Sequence, residues 1–113
     1  MSDDGWVSIW LFQKSGIEAE DVLRDIFSID NYDIDFQDVV GEEDWKLLPV
    51  SELIARLSYS ESFKESAIAA AETRRIGNGR RALAQYDFKY QPADAPPPSL
   101  DDPMFLGTFQ YHL

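Results

Sequence analysis

The chain has 113 residues, of which 44% are apolar and fifteen are aromatic, with no cysteine and a formal net charge of −11. That length fits a single domain over residues 1–113 that can close a core of its own, and the aromatic content excludes a disordered chain. Without cysteine, disulfides, thiol nucleophiles and thiolate zinc sites are all excluded, and a pI near 4.3 opposes direct binding of nucleic acid, whose phosphates would be repelled.

The opening MSDDGWVSIW lacks the basic segment and long apolar core of a signal peptide. No apolar run approaches the ~18 residues that a membrane span needs. A cytoplasmic chain that makes no use of a membrane is the expectation.

Trp6–Phe12, WVSIWLF, sets Val7, Ile9 and Leu11 against Trp6, Ser8, Trp10 and Phe12. A period of two in such residues is a strand, and large apolar groups on both sides place it centrally in a sheet. Ile17–Phe27 carries Val22, Leu23, Ile26 and Phe27 at helical spacing, with Glu18, Glu20 and Asp21 in the first turn, where the helix dipole favours acidic groups.

Residues 28–45, SIDNYDIDFQDVVGEEDW, hold seven carboxylates and no Lys or Arg; from Glu18 to Asp44 eleven acidic residues face a single base, Arg24. Alternation of Ile34, Phe36 and Val40 with Asp33 and Asp35 allows a short edge strand with a charged outer face. Asp and Asn are poor strand residues, so a structured loop fits equally.

Two helices follow. Ser51 is placed to cap the first, with Leu53, Ile54 and Leu57 on its apolar face. The second starts from Ser60, buries Phe63, Ala67, Ile68 and Ala71, and stops at Gly77. Ala82–Tyr90, ALAQYDFKY, and Met104–Tyr111, MFLGTFQY, alternate as strands and are expected to pair as an antiparallel hairpin. The proline-rich loop between them must run over the surface. The fold class read from this order is α+β: a mainly antiparallel sheet of three to five strands with two or three helices packed on one face.

Catalytic motifs are poorly supplied. The lone histidine, His112, is penultimate, where a chain frays, so no Ser-His-Asp arrangement can be assembled. The acidic stretch superficially resembles a calcium loop, but no start position gives both Gly at the sixth place and Glu at the twelfth. G-N-G at residues 77–79 follows a helix rather than a strand and reads as a turn, not a phosphate loop. Arg74, Arg75, Arg80 and Arg81 around it are expected to pair with the acidic stretch. Accordingly no enzyme activity, metal or cofactor is assigned.

Solvation of a charged face is one reading of the acidic stretch. The other is capture of a basic protein: complementary charge accelerates encounter, and embedded aromatics supply anchors. On that reading the contact residues are Asp30, Tyr32, Asp33, Asp35, Asp38, Glu42, Glu43, Asp44 and Trp45.

Four segments in order, WVSIWLF, SELIARLSYSESF, ALAQYDFKY and FLGTFQYHL, give the chain a resemblance to the immunity protein 22 family. Leu11-Phe12-Gln13 stands where that family tends to have glycine and asparagine. The resemblance implies an antidote that binds a cognate polymorphic toxin in the bacterial cell producing it. It carries over no toxin-contact residues, which rest on the charge argument alone. The partner expected is a basic toxin, a nuclease, whose substrate groove the carboxylates would occlude. The alternatives are a small acidic adaptor with no toxin partner and a carboxylate-based hydrolase or metal protein.

Overall fold

The computed structural model describes residues 5–13, 32, 34–42, 44–90 and 104–111. The expected helix over Ile17–Phe27, the proline-rich loop and His112 lie outside them. In chain order the elements are β1 (Trp6–Phe12), a 3-10 turn (Ile34–Phe36), β2 (Gln37–Gly41), β3 (Leu48–Pro49) and α1 (Val50–Ala55). A second 3-10 turn (Ser60–Ser62), α2 (Lys64–Thr73), β4 (Asn78–Gly79), β5 (Arg81–Tyr86) and β6 (Met104–Gln110) complete the order. The fold is α+β: a four-stranded antiparallel sheet and a two-stranded ribbon, β3 with β4, accompany the two helices.

β1 sits between two partners and alternates as its sequence dictates. Val7, Ile9 and Leu11 join α1 and α2 residues in one core, while Trp10 and Phe12 build a second core on the opposite face with Leu83, Phe88 and Tyr90. The sheet order β2-β5-β1-β6 overturns the expected hairpin of the last two strands, since β1 separates them. The cause is β1 itself: apolar on both sides, it is most stable with both edges paired and both faces covered. The long connection between β5 and β6 imposes no pairing of its own.

Two local breaks alter the faces that simple alternation assigns. β5 ends at Tyr86 because Asp87 takes a left-handed backbone, φ 56°. Beyond it Phe88 and Tyr90 join the Trp10 core, not the side of Tyr86. Buried Ser8 pins that segment: its hydroxyl donates to the Phe88 carbonyl at 2.8 Å and accepts from the Tyr90 N–H at 2.9 Å. In β6, the register shifts between Ile9, opposite Gly107, and Trp10, opposite Phe105. A bulge of this kind inserts one residue and turns the strand, so Phe105 meets Trp10 while Phe109 packs on the helix-side core.

Helix boundaries also differ from the sequence reading. Leu53, Ile54 and Leu57 are buried as expected, but α1 starts at Val50 with Pro49 at the cap position and no side-chain cap, so Ser51 lies within the first turn. The Val50 N–H instead donates to the Gly77 carbonyl at 3.0 Å, a backbone bond supplied by the neighbouring ribbon. α2 begins at Lys64, one short turn after Ser60, and buries Phe63, Ala67 and Ala71. It stops through Arg75, at φ 59°, rather than Gly77. The Arg75 N–H reaches Glu72 O and the Ile76 N–H reaches Ala71 O, closing the last carbonyls in the Schellman pattern.

Candidate functional site

Within the acidic stretch Ile34–Phe36 form a 3-10 turn and Gln37–Gly41 an edge strand, so these residues are turn and strand in succession. β2 pairs with β5 from Gln37 opposite Gln85 to Gly41 opposite Arg81. Gly41 is required there: at φ 142°, a Cβ would stand 2.6 Å from Arg81 Cγ and 2.7 Å from the Arg80 carbonyl. The Gln37 side-chain amide donates to the Gln85 Oε1 at 3.1 Å, giving the oxygen of a fully buried side chain a partner beneath the edge strand.

At the start of β2 a cavity of about 370 Å³ opens, lined by Asp35, Phe36, Asp38, Tyr59, Tyr86, Asp87 and Tyr111 among others. Four elements deliver these groups: the 3-10 turn with β2, the link between α1 and α2, the end of β5, and the residue after β6. Three tyrosine rings form a mutual cluster, Tyr59 with Tyr86 at 5.7 Å between centroids, Tyr59 with Tyr111 at 5.9 Å and Tyr86 with Tyr111 at 5.0 Å. The Tyr86–Tyr111 and Tyr59–Tyr86 pairs meet edge to face, the arrangement that ring quadrupoles favour.

The polar groups are placed by backbone. Asp38 accepts the Ser58 N–H at 2.9 Å. Asp87 accepts both the Gly5 N–H at 3.0 Å and the Tyr111 hydroxyl at 2.7 Å. The Tyr86 hydroxyl donates to the Ser58 carbonyl. Burial pushes the Tyr86 phenol well above its usual 10.0, and the negative charge of Asp38 raises it further. Two residues here hold left-handed backbones, Tyr59 at φ 61° and Asp87 at φ 56°. Asp tolerates that region; a tyrosine there is strained by about 1–2 kcal/mol.

The other end of the acidic stretch has different surroundings. Glu42 pairs with Arg56 at 3.2 Å, and its carbonyl accepts from Arg81 at 3.2 Å. Asp44 is exposed and accepts the Lys46 N–H at 3.2 Å. Trp45, at φ 58°, lies edge-on to Phe12 at 5.9 Å, and the Arg81 guanidinium covers its ring at 3.8 Å. Arg80 donates to the Trp45 carbonyl at 2.7 Å and to the Gln13 carbonyl at 3.0 Å. Two of the four arginines therefore reach the acidic stretch, at its carbonyls and its indole. Arg74 donates to the Phe105 carbonyl of β6.

Of the nine residues read as a contact surface, Asp35 and Asp38 come together at the cavity, and Glu42, Asp44 and Trp45 belong to the arginine-tethered end. Tyr32 is half-buried, edge-on to Phe88 at 6.1 Å, and packs against the Trp10 core. Tyr32 and Trp45 are thus committed largely to the fold. Asp30, Asp33 and Glu43 lie outside the described residues. Sequence reasoning missed Tyr59, Tyr86, Asp87 and Tyr111. Tyr59 did leave a signal, an aromatic between serines in a helix–helix link, where core packing does not ask for one.

Among the described residues no three acidic or histidine side chains converge as a metal would require, and no helix is long and apolar enough to cross a membrane. Compared with known family models, curated proteins and solved structures, the chain matches none.

Proposed function

We propose that the protein is an immunity protein that binds a basic bacterial toxin, a nuclease, in the cytoplasm of the producing cell and covers its substrate groove. The single observation that supports this reading most is the convergence of Asp35, Asp38 and Asp87 on one concavity whose rim carries exposed aromatics. Phe36 and Tyr59 are each about half exposed, and Val39, on the neighbouring edge strand, is 46% exposed. Large exposed apolar groups set beside carboxylates suit a cationic protein surface, where charge guides encounter and aromatics anchor the complex. The four segments that resemble the immunity protein 22 family supply the biological class.

Occlusion needs no chemistry from this chain. A groove that binds phosphates is lined by Lys and Arg, and carboxylates seated there replace the substrate's charge. Close charge pairs in toxin–inhibitor interfaces couple by about 1.5–7 kcal/mol each. Reversal of Asp33, Asp35 and Asp38 to Lys should therefore weaken binding of the toxin encoded beside this chain by about a thousandfold or more. Calorimetric titration reads the affinity and circular dichroism checks that the fold is retained. Unchanged affinity in a folded triple variant would remove the acidic contact surface.

A further inference from the structure

We infer that the tyrosine-walled cavity is a receptor for one arginine side chain of the basic partner. This deepens the toxin-binding reading and rests on it. The cavity's walls and charges specify the occupant. Among the described residues, Asp38 and Asp87 receive only neutral donors, the Ser58 and Gly5 N–H groups and the Tyr111 hydroxyl. Among the described residues neither takes part in an ion pair. Two carboxylates at the wall of one cavity repel an anion, and an apolar occupant would strip their water with no compensation.

A cation fits, and the rings choose which kind. The three rings pack on one another with centroids 5.0–5.9 Å apart and Tyr86 buried, so the ring that offers surface to an occupant is the half-exposed Tyr59. A flat guanidinium stacks on such a ring and forks two donors to a carboxylate, whereas a compact ammonium does neither as well. A volume of about 370 Å³ accommodates a long side chain. Tyr59 stands at the cavity's mouth: its ring reaches both other tyrosines and still keeps half its surface exposed.

The test is an NMR titration of the free protein with N-acetyl-arginine methylamide, using the neutral citrulline analogue and the lysine analogue as comparators. The arginine compound should give saturable shifts confined to Tyr59, Tyr86, Tyr111, Asp38 and Asp87, and bind about tenfold or more tighter than citrulline. Tyr59→Asn, which suits the left-handed backbone, should remove most of that binding and weaken the toxin by about tenfold while the protein stays folded. Absence of saturable shifts, equal binding of citrulline, or tighter binding of lysine would each overturn the arginine receptor. Because the titration contains no toxin, the two readings separate. A failed titration with a triple Asp-to-Lys variant that still loses the toxin removes only the receptor. A successful titration with unchanged toxin affinity in that variant removes the toxin as the source of the arginine.

Discussion

Two ends of the same acidic stretch behave as different materials. Residues 35–38 border an open cavity, and among the described residues Asp38 forms no ion pair and accepts the Ser58 N–H. Glu42 and Trp45, a few positions on, are held by Arg56, Arg80 and Arg81. Composition alone does not distinguish them. The difference comes from β2, which carries its first residues past the end of α1 and returns its last residues, through the glycine at position 41, to the arginines preceding and opening β5. A run of like charge is therefore not one functional unit. It is divided by whichever cations the topology brings alongside its carbonyls, indole and carboxylates.

The sharpest way to break this contrast is at Trp45, which the sequence marks as a partner anchor and the structure commits to the fold. Its indole lies between Phe12 and the Arg81 guanidinium, so Trp45→Ala removes a half-buried ring, an aromatic contact and a cation–π contact together. Fully buried Trp→Ala changes cost about 3–5 kcal/mol. Half-burial sets the expectation at about 2–3 kcal/mol, read as a lower urea midpoint with an unchanged m-value. Toxin affinity should move by less than about threefold, since a structural role leaves the contact surface in place. A loss of affinity by two orders of magnitude at unchanged stability would put Trp45 in the interface and merge the two ends again.

At the open end, Tyr86→Phe probes the cavity floor. The hydroxyl donates to the Ser58 carbonyl, so its removal should cost about 1 kcal/mol at neutral pH. The pH dependence adds a second reading. The folded phenol holds its proton to a higher pH than the unfolded one, whose pKa is near 10.0. Below that value both states are protonated and the stabilisation is complete. Above it only the unfolded chain releases the proton, so stability falls as pH rises toward the folded pKa. The gap between wild type and Tyr86→Phe should accordingly be widest at pH 8 and narrow by about pH 11, measured by urea midpoints. A gap independent of pH would mean that the phenol is not held in its neutral form by the fold.

How much of this could be read from residues alone depends on the range of each signal. β1 was legible in full, because Val7, Ile9 and Leu11 against Trp10 and Phe12 is a local pattern with burial on both sides. The apolar faces of α1 and α2 were legible for the same reason. What escaped was set by single residues that break a period: Asp87 at the end of β5, the bulge at Leu106, and Arg75 in a position that glycine usually fills. An alternation rule carried across such a residue assigns every later side chain to the wrong face; carried across Asp87 it would set Phe88 and Tyr90 beside Tyr86. The cavity was hidden for a related reason. Tyr59, Tyr86 and Tyr111 are separated by 25 or more positions, and only the placement of β1 between β5 and β6 brings the ends of those strands beside the α1–α2 link. The local density of Asp drew attention to the correct stretch, but the aromatics that accompany Asp38 come from elsewhere in the chain.

The smallest effect belongs to the tethered end and tests whether tethering by charge matters there. Arg56 reaches Glu42 at 3.2 Å and Glu52 at 3.4 Å, with side chains 35%, 45% and 49% exposed respectively. At such exposure the attraction is largely offset by solvation and by the entropy of ordering long side chains, leaving about 0–1 kcal/mol for a pair. Glu42→Gln should cost no more than about 0.5 kcal/mol, because Arg56 keeps its Glu52 partner four residues away on α1. Arg56→Ala loses both and should cost up to about 1 kcal/mol, shrinking in 1 M salt, where the screening length falls to ~3 Å. The same change leaves Glu42 uncompensated and so makes the tethered end resemble the open one. If unneutralised charge is what a basic partner senses, Arg56→Ala should speed association with the toxin modestly at low ionic strength while leaving dissociation unchanged. An increase in dissociation rate would instead place Glu42 or Arg56 in direct contact with the partner, and the division of the acidic stretch into a cavity end and an arginine-tethered end would no longer hold.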